Sequence, residues 1–140
     1  QRGTPNLILR GALERCETAI TAGQDISAAL HETGAFPPMV VQVFAVEHAA
    51  ALGVTPGRIA IKDTRTRWGS CSAKGNLNFS WRLLLAPWAV MDYVVAHEVA
   101  HLRELNHSPR FWAAVATLCP DFRTHRTWLK THGAELAEWP

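Results

Sequence analysis

The chain has 140 residues, of which 48% are hydrophobic and 19% charged, with a formal net charge of +2. That length is near the commonest size of one domain and allows burial of about 68–70% of the surface exposed by the unfolded chain. The composition excludes wholesale disorder, and no apolar run approaches the ~20 residues of a membrane span.

Charge is uneven along the chain. Residues 1–57 carry Arg2, Arg10 and Arg15 against five acidic residues, while residues 58–140 carry eleven basic and seven acidic residues. All six tryptophans fall in the second part. The mild basic excess there is weak support for a nucleic-acid partner. The chain starts at Gln1 rather than Met, which reads as a piece of something longer, and no signal-peptide pattern opens it. Three widely spaced cysteines, Cys16, Cys71 and Cys119, form no C-x-x-C pair. They are expected as small core residues of a protein in a reducing compartment, the cytoplasm.

Thr4-Pro5 reads as an N-cap with proline at the first helical position, and apolar residues from Leu7 to Ile20 recur at three- and four-residue steps. A helix is expected over about 5–22, stopped by Gly23, and a short one from Ile26 to about His31. Pro37 and Pro38 open a third helix that Gly53 ends. The period then changes to two. Arg58–Asp63, Gly69–Ser72 and Leu77–Trp81 read as strands, with Lys74-Gly75-Asn76 as a turn, so a small antiparallel sheet with hairpin connections is expected. Helices return over Pro87 to about Leu105, from Ser108-Pro109 to Cys119-Pro120, and from Asp121 to Gly133. The layout is α+β.

His97-Glu98-Val99-Ala100-His101 is an H-E-x-x-H motif inside the first of these helices. Residues four apart share one helix face, so two imidazoles there can reach a single Zn²⁺. Glu98 sits beside the first ligand, placed to take a proton from a metal-activated water as general base. A catalytic zinc needs a third protein ligand and one open position. His107, just past the helix end where the chain must turn, is the first candidate; Glu104, His125 and His132 are the alternatives. Glu104 also has the spacing to support a ligand histidine from behind. His31 and His48 lack neighbours in the sequence and read as non-functional. Trp68, Trp81, Trp112 and Trp128 read as core packing, with Phe111-Trp112 packing their helix onto the metal helix. Tyr93, Arg67, Arg82 and His125 are the candidates for stabilising an oxyanion.

Residues from about 47 to 136 resemble the YgjP-like metallopeptidases, relatives of the SprT-like and WLM zincins. The matching segments are Arg67-Trp68-Gly69-Ser70-Cys71-Ser72, Asn78–Arg82, Asp92–Leu102, Glu104–Ser108, Phe111-Trp112 and Trp128-Leu129. The resemblance implies zinc held by His97, His101 and His107, Glu98 as catalytic acid/base, and a small sheet packed on the active-site helix. It implies a peptide or protein substrate that adds as a strand to the sheet edge, with Trp68, Gly69, Ser70 and Cys71, or else the strand ending at Trp81, lining the cleft. It also raises association with nucleic acid through Arg58, Lys62, Arg65, Arg67, Lys74 and Arg82, against the plainer reading of a solvated basic face.

Residues from about 6 to 46 are similar to part of the helical domain of type II secretion system F proteins, through Asn6–Arg10, Gly23–Leu30 and Thr33–Gln42. That family continues with Gly-Glu-Glu, whereas this chain has Glu47-His48-Ala49-Ala50. The resemblance implies a chimera, with a helical segment over 1–53 joined to a zincin-like domain over 54–140. Two functions follow. One is a zinc metalloendopeptidase. The other is a non-catalytic helical assembly or secretion module whose zinc site is purely structural.

Overall fold

The computed structural model describes residues 37–137. The helices expected over 5–22 and 26–31, with Cys16 and His31, lie outside them. The chain divides into two compact units, Gln1–Val43 and Phe44–Pro140. Of the first, only residues 37–43 are described, and they form the first part of helix α1 (Pro37–Leu52). The helix stops where expected: Gly53 takes φ +69°, and Val54 N–H donates to the carbonyl of Ala49 at 3.0 Å. A left-handed glycine in this place returns the chain and satisfies an orphan carbonyl.

Strands β1 (Ile59–Lys62), β2 (Gly69–Cys71) and β3 (Leu77–Ser80) follow. The sheet is mixed, which corrects the antiparallel expectation. Its order is β1-β3-β2, with β1 parallel to β3 and β2 antiparallel to β3. β2 and β3 do form the hairpin expected across Lys74-Gly75-Asn76. β1, however, pairs with the far side of β3, because its start is tied to the start of β3. Gly57 N–H donates to Gly75 C=O at 2.8 Å, Leu77 N–H to Arg58 C=O at 2.8 Å, and Arg58 N–H to Asn76 Oδ1 at 2.9 Å. The physical reason is burial. β3 carries Leu77 and Phe79 into the core, so it takes the centre and leaves β2 on an edge.

The 3-10 helix Trp81–Leu85 leads to α2 (Trp88–Ala100), then α3 (Pro109–Leu118) and α4 (Phe122–Ala137). α2 buries Val90, Met91, Val94, Val95, Val99 and Ala100, and packs against α3, α4, β2 and β3. A helix apolar nearly all round is a central one. It ends at Ala100 with His101 as its cap, earlier than the sequence pattern implied. Its last amides turn to carbonyls three residues back, as in His101 N–H to Glu98 C=O and Leu102 N–H to Val99 C=O. This tightening releases the chain into the bend before α3. α3 starts as expected: Ser108 Oγ accepts from Phe111 N–H at 3.2 Å, with Pro109 at the first helical position. α4 runs past Gly133 to Ala137. Among the described residues, no helix is long and apolar enough to cross a membrane.

Candidate active site

His97 and His101 lie one turn apart at the end of α2, and the bend brings His107 back beside them. One ligand nitrogen from each of the three lies within 4.8 Å of the other two. His107 Nε2 is 3.3 Å from His97 Nε2. Two nitrogens sharing a tetrahedral zinc at about 2.0–2.1 Å stand roughly 3.3 Å apart, so this pair has the span such an ion requires. The other ring nitrogens are engaged from behind. His101 Nδ1 is 3.0 Å from the backbone carbonyl of Glu104, which makes it the protonated nitrogen and leaves Nε2 as the donor to a metal. His97 Nδ1 faces the hydroxyl of Tyr93 at 3.5 Å. Glu104 therefore holds the His101 ring through its main chain.

Phe111, fully buried, floors the site. Its ring stacks on His101 at 4.4 Å and meets His97 and His107 edge-on, each at 4.9 Å. Trp112 stacks on His107. The expected docking of Phe111-Trp112 onto the metal helix is thus made largely through the imidazoles themselves. Burial, helped by the neighbouring His101 and His107, lowers the His97 pKa to about 4, so this ring is neutral at neutral pH and open to a cation. Burial also lowers that of His101.

Glu98 is buried beside β2, and burial raises its pKa to about 7, with the nearby Arg67 charge pulling the other way. Its approach depends on Gly69: a Cβ there would meet Glu98 Cγ at 2.9 Å and Phe79 Cδ1 at 3.1 Å. Glu98, the three imidazoles, Arg67, Gly69, Ser70 and Cys71 line one cavity of about 360 Å³. Among the described residues, the outer edge of β2 is unpaired in the sheet, and β2 borders this cavity.

The other candidates divide plainly. Trp68 does not line this cavity; its indole packs against Gly133 of α4. Cys71 is half-buried at the cavity wall rather than in the core, and burial raises its thiol pKa; Cys119 is buried, and both are free thiols. His132 stacks on Trp128 and contacts the Trp128 carbonyl, in place of joining the cluster. Arg82 is 1% exposed and donates to Asp63 at 2.6 Å, so it belongs to the interior and not to a basic face, and it does not line the cavity. Of the oxyanion candidates, Arg67 lines the cavity while Tyr93 stands behind His97. His48 has a partner after all, Asp92, one turn before Ala96 and His97 on α2. No short-range pattern announces that pair, because its members are 44 residues apart.

The metallopeptidase domain of the YgjP-like family matches residues 39–132. The fold is similar to the crystal structure of the metallopeptidase zymogen of abylysin from Pyrococcus abyssi, with a TM-score of 0.60 and 23% identity over 65% of this chain and 92% of that one. No curated protein matches the sequence significantly. The family match begins at residue 39, inside the segment likened to a secretion-system domain, and nothing supports a chimera. Three converging imidazoles, a buried glutamate beside them and a family match over most of the chain lead to one conclusion: the chain belongs to the YgjP-like family of metallopeptidases.

Proposed function

We propose that the protein is a zinc-dependent endopeptidase in which His97, His101 and His107 hold the metal and Glu98 is the general base. One observation carries this reading: three ligand nitrogens within 4.8 Å of one another share a cavity with a buried carboxyl. Three imidazole nitrogens suit zinc among the common divalent ions. Among the described residues the ligand group holds only these three side chains, which leaves a position open to the cavity and favours a catalytic over a structural site.

A divalent ion in such a site acidifies a water and polarises a carbonyl. Glu98 then takes a proton from the attacking water and gives it to the departing amine as the C–N bond breaks. An acidity near neutrality suits a group that must both accept and return a proton. An extended peptide pairs with the free edge of β2 at Gly69, Ser70 and Cys71, which brings its backbone past Glu98. Glu104 and Tyr93 hold the imidazoles in place, and Phe111 keeps water from their rear faces. Free thiols fit the cytoplasm as its place of action.

Elemental analysis of zinc-replete protein should find one zinc per chain, and chelation should abolish peptide cleavage. Glu98→Gln should keep the zinc and lose cleavage. Zinc bound with cleavage intact in Glu98→Gln would remove the glutamate from its assigned role.

A further inference from the structure

A second cavity, about 210 Å³, lies on the other side of Arg67 between the loop after β1 and helix α4. Arg67 lines both cavities. Arg65, Arg67 and Arg82 line the second one, with no carboxylate among its lining residues. Arg82 is matched by Asp63 at 2.6 Å. The guanidinium groups of Arg65 and Arg67 add a net positive field on exposed side chains. The opposite wall is apolar, from Trp68, Leu129 and Ala134. The volume falls below the ~300 Å³ at which small-molecule pockets begin and suits a single side chain. An aliphatic stem with an anionic tip matches this lining.

The loop that carries these arginines is fixed. Thr64 Oγ1 donates to the Arg67 carbonyl at 3.0 Å, Ser80 Oγ donates to the Thr64 carbonyl at 2.9 Å, and Ser80 N–H donates to the Trp68 carbonyl at 2.9 Å. Ser80 ends β3, so the backbone of the loop that carries Arg65 and Arg67 is tied to the central strand. A strand advances about 3.3 Å per residue, and Arg67 precedes Gly69 and Ser70 by two or three residues.

We propose that Arg65 and Arg67 form a specificity subsite for an acidic side chain, best a glutamate, two or three residues from the cut bond of a peptide paired with β2. This rests on the peptidase reading above. A guanidinium recognises a carboxylate through paired, charge-assisted hydrogen bonds that glutamine cannot match.

The test uses the zinc-loaded protein and peptides that differ only in glutamate, glutamine or lysine at each of four positions on either side of the cut. At one position two or three residues from the cut, glutamate should raise kcat/KM about three- to tenfold, as expected for a partly exposed charged contact, and a preference confined to other positions would overturn the subsite. The preference should vanish in Arg65→Gln/Arg67→Gln, and in Arg65→Glu/Arg67→Glu it should turn toward lysine. Indifference to charge at every position, or the same preference in the double variants, would overturn the subsite. Should no peptide be cut, the peptidase reading fails, and the subsite is judged by fluorescence anisotropy of the same labelled pairs bound to Glu98→Gln. Tighter binding of the glutamate peptide, lost with the arginines, supports it; equal binding overturns it.

Discussion

Glu98 Cγ lies 2.9 Å from the place where a side chain on Gly69 would begin. The buried carboxyl and the free strand edge are therefore as close as a backbone without Cβ allows. Gly69→Ala forces Glu98 or Phe79 to give way, and overpacking of this kind costs about 1–3 kcal/mol. A lower melting temperature is expected, with a loss of peptidase activity larger than the stability change explains, because the displaced group is the proposed base. Thermal unfolding and kcat/KM on one peptide check both.

Glu98 also sets a pH dependence in the metal-free protein. Its folded pKa of about 7 stands above the ordinary 4.5, so the fold retains a proton that the unfolded chain releases. The cost is absent below pH 4.5, grows as the pH rises to 7, and is complete above it, at about 3 kcal/mol. Glu98→Gln should therefore be more stable than the wild type at pH 8 and nearly equal at pH 4.5. His97 acts in the opposite sense: with a folded pKa near 4 against 6.5, it destabilises the fold as the pH falls between those values. Urea unfolding of chelator-treated protein across pH 4–8 measures both limbs.

The imidazoles differ in how they are held. His107→Ala removes a proposed ligand and should all but abolish tight zinc binding, whereas His132→Ala, on a ring stacked against Trp128, should leave it unchanged. Tyr93→Phe removes a hydroxyl 3.5 Å from His97 Nδ1. Support of this kind is worth about 10–100-fold in metal affinity, and a contact this long places the loss near tenfold. Competition against a chromogenic chelator separates the three outcomes.

His48 and Asp92 pair across α1 and α2 with little exposure. Asp92→Asn or His48→Leu leaves the partner poorly satisfied, for a loss of about 2–4 kcal/mol. The melting temperature should fall while the zinc stoichiometry of the folded protein stays at one, since neither residue lines the site.

The legible parts of this protein are the local ones. Two histidines four residues apart on a helix share a face whatever surrounds them, and Ser108-Pro109 starts a helix through a cap that needs three residues. Hence His97, Glu98 and His101, and the bend offering His107, are written in one short stretch of chain. The order of the strands is not: β3 takes the centre because Leu77 and Phe79 must be buried, and periodicity of two says nothing about which edge β1 will join. Phe111 under three imidazoles, Tyr93 behind His97, Asp92 opposite His48 and Arg67 between two cavities are likewise decided by packing between elements distant in the chain. The sequence alone determined that one face of a helix would present two histidines with a glutamate beside them. Only the tertiary structure decided what closes around that face, because contacts between separate elements depend on how apolar surface is shared throughout the core, and no local pattern encodes that.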